Sequence, residues 1–299
     1  MNLPNNAPLE EIYLQNDLKS GVRLFLKRED KIHPIISGNK WRKLYYNIKF
    51  AKKNKINSIV TMGGAFSNHI AATAYAGKIF GFNTIGYIRG DELKKLNSTL
   101  SFAKLNGMKF KFVSRSLYKT GVFLEKYKNQ KKYKDYMIIP EGGSNQMGID
   151  GCKEIYNDIK IDFDYICCSV GTGGTLSGIA SNLKKNQYAF GFSSLKGANY
   201  LNDVVRGYTK SNNWKLIMNY HFGGYAKIND ELIDFINFFK EKYNIQLDPI
   251  YTGKLIFGIF DLIKKNFFKK KSTIIAVHSG GIQGIKGIND KLNNNKIII

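Results

Sequence analysis

Cysteine is scarce in this chain, three in 299 residues. That scarcity excludes a disulfide framework, and Cys152, Cys167 and Cys168 have no metal-binding spacing. Cys167 and Cys168 are adjacent in an apolar run, so on a strand they alternate faces and read as buried thiols. Histidine is nearly as rare. His33, His69, His221 and His278 are too scattered for a His-based triad or a metal cluster. No apolar run has the length needed to cross a bilayer, and Met1 to Asn6 lacks the charged start and apolar core of a signal peptide. The expectation is a cytoplasmic protein with no membrane partner. No internal repeat and no long low-complexity linker is present, and the Asn293-Asn294-Asn295 tail reads as frayed.

Acidic residues are half as numerous as basic ones, 23 against 46, which leaves a net charge of +23. Such a balance raises the question of nucleic acid. The lysines, however, are spread along the whole chain and travel with abundant Asn and Ile, the trio an A+T-rich genome encodes. The densest cluster, Lys264-Lys265 with Lys269-Lys270-Lys271, lies at an expected helix end, where cations are favoured. The chain shows no recognised DNA-binding motif and no paired RNA-stacking aromatics, so no nucleic-acid partner is expected.

What is abundant points to a folded core: 43% hydrophobic residues, 13% of the chain aromatic. Strand-like and helix-like runs alternate, the pattern of an α/β protein with mostly parallel sheets. Strands are expected at 58–62, 84–88, 109–113, 136–139, 165–170, 188–192 and 273–277. Helices are expected at 68–80, 93–106, 175–186, 230–243 and 253–266.

Two motifs carry chemistry. The first is Ser37-Gly38-Asn39-Lys40-Trp41-Arg42-Lys43-Leu44, which puts a lysine at the start of a helix. An amine attacks an aldehyde only when deprotonated, and Arg42, Lys43 and the positive helix end all disfavour an extra proton on Lys40. The second is Gly171-Thr172-Gly173-Gly174-Thr175, between a strand and a helix. Backbone N–H groups converging there suit a phosphate monoester. The loop matches neither a P-loop nor the dinucleotide spacing. Alone, Lys40 reads as a solvated lysine, while the loop already reads as an anion site, with a tight turn as its alternative. Together they are the amine and the phosphate cup that pyridoxal 5'-phosphate requires. A third turn, Gly63-Gly64-Ala65-Phe66-Ser67-Asn68-His69, offers side chains and helix amides to a substrate carboxylate, or is an ordinary N-cap. His69 reads as a local hydrogen-bonder.

With Leu26-Lys27-Arg28-Glu29-Asp30, Pro140-Glu141-Gly142-Gly143-Ser144-Asn145, Asp248-Pro249-Ile250-Tyr251-Thr252-Gly253-Lys254 and His278-Ser279-Gly280-Gly281 added, the ordered motifs span nearly the whole chain. In this set the chain resembles the pyridoxal-phosphate-dependent 1-aminocyclopropane-1-carboxylate (ACC) deaminases and D-cysteine desulfhydrases. The resemblance implies a tryptophan synthase β-like fold of type II, with two three-layer αβα domains. The large domain would comprise 1–43 plus 151–299 and the small one 44–150, with a homodimer as the assembly.

It also implies roles. Lys40 would hold the cofactor as a Schiff base and serve as general base. Asn68 would bond the cofactor's 3'-oxygen, and Gly171, Thr172, Gly173, Gly174 and Thr175 would hold its phosphate. Ser67, Asn68 and His69 would meet a small amino-acid substrate, together with Tyr225 and Tyr251, and Ser67, Tyr225 and Tyr251 would be catalytic alongside Lys40. Deaminases of the family resemble one another in having glutamate after the tyrosine and leucine in the last motif. Here Thr252 and Ser279 stand there, and a hydroxyl facing the pyridine nitrogen favours elimination of a good β-leaving group. The expectation is a D-cysteine desulfhydrase-like lyase giving pyruvate, sulfide and ammonia. ACC deamination, another D-amino-acid lyase, dehydratase or racemase activity, and a non-catalytic binding protein of the same fold stay open.

Overall fold

A computed structural model describes residues 7–14, 21–129, 131, 134–290, 292 and 297–299. The readings of Met1 to Asn6 and of Asn293-Asn294-Asn295 lie outside the described residues. The strands are β1 (Leu9–Ile12), β2 (Arg23–Lys27), β3 (Ser58–Gly64), β4 (Asn83–Arg89), β5 (Lys109–Val113), β6 (Tyr136–Ile139), β7 (Tyr165–Val170), β8 (Tyr188–Ser193), β9 (Trp214–Ile217) and β10 (Thr273–Val277). The α-helices are α1 (Asn39–Lys53), α2 (Asn68–Phe80), α3 (Ser98–Leu105), α4 (Arg115–Thr120), α5 (Glu125–Asn129), α6 (Gln146–Asn157), α7 (Gly174–Ala180), α8 (Leu201–Arg206), α9 (Asp230–Tyr243), α10 (Thr252–Lys264) and α11 (Gly284–Asn289).

They form two sheets. One has six strands in the order β1-β2-β10-β7-β8-β9, parallel except where β1 runs against β2. The other has four parallel strands in the order β5-β4-β3-β6. Parallel strands need crossovers and are buried on both faces. In the six-stranded sheet, Cys167 faces a core shared with α9 and α10 through Ile236 and Ile256. Its neighbours Ile166 and Cys168 face the opposite core, shared with α6, α7 and α8 through Ile155, Ile179 and Val205. The alternation expected of the paired cysteines is therefore present, and all three thiols are buried and free.

The four-stranded sheet repeats the scheme on a smaller scale. Ile59 and Ile139 pack under α1 and α2, while Val60 and Tyr87 face Tyr118, Leu124 and Tyr127 of the α4–α5 region. The αβα layering is present in both halves. Residue 43, the expected edge of the large domain, falls inside α1, whose apolar face (Trp41, Leu44, Ile48) packs on the smaller sheet.

A buried charge cluster joins the halves at that helix. Arg42 donates to both oxygens of Glu29, at 2.9 and 3.0 Å, and also to Asp158 at the end of α6. Arg42 and Glu29 are 2% and 0% exposed, so breaking the pair would strand a charge away from water. Two residues before Arg42 lies Lys40.

Two expected helices differ from the structure. The helix expected from Leu93 begins at Ser98, because the Asn97 side chain accepts from the Leu100 N–H and caps it there. The helix expected to reach Asn186 ends at Ala180, where Ser181 turns its hydroxyl back onto the Ser177 carbonyl. Strands β1, β2 and β9 and helices α4, α5, α6, α8 and α11 were not anticipated.

Candidate functional site

A cavity of about 210 Å³ lies at the carboxyl ends of strands from both sheets. β7 delivers Gly171, β3 delivers Ser67 and Asn68, β4 ends on Arg89, β6 leads to Glu141, and β10 leads to Ser279. Carboxyl ends of parallel strands are where open α/β sheets place their ligands.

Lys40 reaches the cavity from the first turn of α1. The entry into that helix depends on Gly38, whose φ of +70° favours glycine. A Cβ there would stand 1.8 Å from the Ser279 carbonyl oxygen, so only a bare backbone lets α1 approach the strand β10 loop. Lys40 faces the cavity and keeps some exposure, yet its amine lies deep in the protein. Burial, assisted by the Lys43 charge, lowers its pKa to about 7. The amine donates to Asn39 Oδ1 at 2.9 Å, and Asn39 Nδ2 donates to Thr175 Oγ1 at 2.8 Å. A two-bond chain thus ties the Lys40 nitrogen to the glycine loop.

The loop itself carries Gly173 in the left-handed region with φ +82°, and no side chain caps α7. Lys43, one helical turn beyond Lys40 and 2% exposed, donates to the Gly142 carbonyl at 2.9 Å and to Ser144 Oγ at 3.1 Å. Ser144 is bonded in turn to Thr172 Oγ1. A Cβ on Gly174 would come within 2.8 Å of Ser144 Oγ and 3.1 Å of the Lys43 nitrogen. This end of the cavity is a glycine-walled recess surrounded by hydroxyls and a lysine, with backbone amides along one side.

The opposite wall is built at the start of α2. Ser67 is its N-cap and accepts from the Ile70 N–H at 3.3 Å, so the ordinary capping role holds and the same residue also lines the cavity. Asn68 accepts from Gln283 Nε2 through Oδ1 at 2.7 Å, which turns its amide nitrogen to use as a donor. His69 is 1% exposed and bonds Thr61 Oγ1 through Nε2 at 2.9 Å. Its Nδ1 is buried without a hydrogen-bond partner, and burial pushes its pKa far down, so the ring is neutral.

Tyr225 and Tyr251 both line the cavity, with ring centroids 6.2 Å apart. Burial raises the pKa of each, most for Tyr251, so both phenols stay protonated at neutral pH. Ser279 lines the cavity and its Oγ lies 3.2 Å from Ser169 Oγ. Thr252 is not brought to the cavity wall. It is fully buried and its hydroxyl is donated to Asp248, which also accepts from the Ile250, Tyr251 and Thr252 N–H groups and fixes the start of α10.

The cavity also exposes residues that sequence reasoning did not single out as site residues. Asn39 and Lys43 lay inside the quoted lysine motif, and the i, i+3 spacing of Lys40 and Lys43 was a usable signal. Glu141 lay inside another quoted motif. Arg89 gave no signal beyond its place at a strand end. Its guanidinium carbon sits 5.4 Å over the Tyr118 ring at the mouth. Among the described residues no group of His, Cys, Asp and Glu could hold a metal ion, and no helix is long and apolar enough to cross a membrane.

Comparison with known proteins adds to this geometry. The family model described as pyridoxal-phosphate-dependent enzyme matches residues 4–280. A Pyrococcus furiosus protein, provisionally assigned as a 1-aminocyclopropane-1-carboxylate deaminase, is 33% identical over 97% of this chain and 94% of its own length. The mitochondrial bifunctional D-cysteine desulfhydrase/1-aminocyclopropane-1-carboxylate deaminase of Arabidopsis thaliana is 30% identical over 90% of this chain and 74% of its own. Among solved structures, an ACC deaminase homologue superposes with a TM-score of 0.84 at 27% identity, covering 97% of this chain and 94% of that one.

Proposed function

This chain belongs to the pyridoxal-phosphate-dependent enzymes, in the family of ACC deaminases and D-cysteine desulfhydrases, and we propose that it performs β-elimination on a D-amino acid, D-cysteine above all. The observation that carries this reading is a deprotonatable Lys40 amine facing a glycine-walled recess, with hydroxyls rather than a carboxylate at Ser279 and Ser169.

The residues fit the cofactor. The bare backbone at Gly174 lets Ser144 Oγ and the Lys43 nitrogen come closer than a Cβ would allow, and the donors lining this end of the cavity (Lys43, Thr172, Thr175 and backbone amides) are those a phosphate prefers. Lys40 would hold the aldehyde end, and Asn68 the ring hydroxyl. Ser279 would bond the ring nitrogen without delivering a full negative charge to it. When bound, the cofactor supplies the sink for negative charge at the substrate's Cα.

The protein's own groups do the rest. The Ser67–Asn68 turn and the amides of α2 receive the substrate carboxylate, where the helix end favours an anion. Lys40 Nζ, neutral above pH about 7, takes the proton from Cα. Tyr225 or Tyr251, held protonated by burial, donates to the departing sulfur. His69 remains neutral and orients the turn through Thr61. Sulfide, pyruvate and ammonia are the products.

The same proposal includes a small domain of 44–150 against a large domain of 1–43 with 151–299, supported by the four strands of the smaller sheet all falling between Ser58 and Ile139. It includes a homodimer, to be checked by native mass, and a reducing, cytoplasmic location in keeping with three free thiols.

Lys40→Ala is the deciding experiment. The purified variant should lose both the visible absorbance of the lysine-bound cofactor and all turnover. A panel of D- and L-amino acids with ACC, read for pyruvate, 2-oxobutyrate, sulfide and ammonia, then fixes the substrate. A yellow and active Lys40→Ala enzyme would refute the assignment.

A further inference from the structure

The segment 218–229 joins β9 to α9 without regular structure and carries Tyr225 into the cavity. It is an unfavourable piece of chain by itself. Phe222, Gly223, Gly224 and Ala226 all have positive φ, at 50°, 91°, 121° and 54°. Two of these are not glycine, and such residues enter the left-handed region only where surrounding structure holds them there.

The group that ties this turn to a regular element is Lys254 on α10. Its side chain is 1% exposed, and its nitrogen donates at 2.8 Å to the His221 carbonyl and at 2.8 Å to the Gly224 carbonyl. No carboxylate lies within ion-pair distance of it among the described residues. A buried ammonium requires acceptors, and the two carbonyls supply them. The turn has its own bonds, from the Gly224 N–H to the His221 carbonyl at 3.0 Å and from the Gly223 N–H to His221 Nδ1 at 2.9 Å, and Lys254 adds a bridge from α10 to both carbonyls. Lys254 also stands three residues from Tyr251, so one helix end sets both rings, whose edge-to-face geometry at 62° needs both backbones fixed.

We propose that Lys254 is the positioning residue for Tyr225: its ammonium pins the strained turn so that the Tyr225 hydroxyl stays over the substrate beside Tyr251. The inference rests on the reading of Tyr225 as a substrate-facing group. Burial lowers the Lys254 pKa to about 8, in keeping with an ammonium held by neutral acceptors.

The test uses the holoenzyme and three variants: Lys254→Met, Tyr225→Phe and the double variant. In Lys254→Met, amide hydrogen exchange across 221–227 should rise at least about tenfold while exchange in α7 and the cofactor absorbance stay unchanged. The kcat for the eliminated amino acid should fall at least about thirtyfold with KM changed less than about threefold, the sign of an interaction expressed in the transition state. Added to Tyr225→Phe, the same change should lower kcat less than about threefold further, since the pin then has nothing to position. Lys254→Arg, which keeps a charged donor, should recover part of the loss. If Lys254→Met does not fold, Lys254→Gln, neutral and too short to bridge both carbonyls, takes its place in all measurements.

Unchanged exchange at 221–227, or a full multiplicative loss in the double variant, overturns the proposal. Should no D-amino acid react with the parent enzyme, the function proposed above fails by the product panel. The exchange comparison still decides whether Lys254 pins the turn.

Discussion

Two turns face each other across the cavity, and they solve the same geometric problem in opposite ways. Both leave the carboxyl end of a parallel strand and enter a helix. After β3, a side chain finishes the job: Ser67 caps α2 and Asn68 is anchored by Gln283. After β7, no side chain caps α7, and Gly173 and Gly174 bring bare backbone to the cavity. The first wall is made of adjustable groups and the second of fixed ones. Side chains can be exchanged one at a time to suit a new substrate. A backbone cup cannot, and it suits a group that stays the same from one reaction to the next. On the proposed reading, the cofactor sits on the invariant wall and the amino acid on the adjustable one.

The sharpest way to break this comparison is to put a side chain on the bare wall. Gly174→Val would push a Cβ to 2.8 Å from Ser144 Oγ and 3.1 Å from the Lys43 nitrogen. Cofactor affinity should fall at least about a hundredfold, measured by equilibrium titration of absorbance, because an ill-fitting recess loses several charge-assisted hydrogen bonds together. Gly174→Val retaining wild-type cofactor affinity would show that the recess holds something else.

The adjustable wall should respond differently. Ser67→Ala removes the cap of α2, which costs about 1 kcal/mol of stability. It should raise KM for the amino acid roughly tenfold, the value of about one hydrogen bond to a charged group. Cofactor affinity should not change. A Ser67→Ala enzyme that lost cofactor and substrate binding equally would erase the distinction between the walls.

The difference between the walls also explains what could be read from the chain. Glycine-rich turns announce themselves, so Gly171 to Thr175 and Gly63 to His69 were legible, and so was the lysine behind Gly38-Asn39. Strands with a clear pattern were legible to the residue, the Lys/Phe alternation of Lys109–Val113 and the apolar run of Tyr165–Val170. β2 was not, because Arg23 and Lys27 make it look polar. In the fold Lys27 is 1% exposed, with its amine donated to the Ala7 carbonyl at 2.6 Å, a contact across the sheet edge that no local pattern encodes. Thr252 is instructive in the same way. Its place after Tyr251 suggested a residue facing the cofactor ring, yet Asp248, four positions earlier, takes its hydroxyl to cap α10. Arg89 reaches the mouth only because β4 lies beside β3 in the sheet, a consequence of strand order rather than of sequence.

The smallest effect concerns the amine that stands between the walls. In its proposed role, Lys40 must be neutral in the apoprotein to capture an aldehyde, and burial has lowered its pKa from 10.5 to about 7. The sign follows directly: the charged form dominates below about pH 7 and is unreactive, and the neutral form dominates above it. Between pH 6 and pH 8 the neutral fraction rises roughly tenfold, whereas an ordinary lysine would stay almost wholly protonated throughout. Stopped-flow mixing of apoprotein with pyridoxal 5'-phosphate should therefore show the second-order capture rate rising about tenfold over that interval and levelling off beyond it. The cofactor's own phosphate titrates near pH 6, so the same series with pyridoxal, which has no phosphate, separates the two groups. If the lysine governs the profile, both aldehydes share the inflection. If the backbone cup governs it through the charge of the phosphate, only the phosphorylated one does.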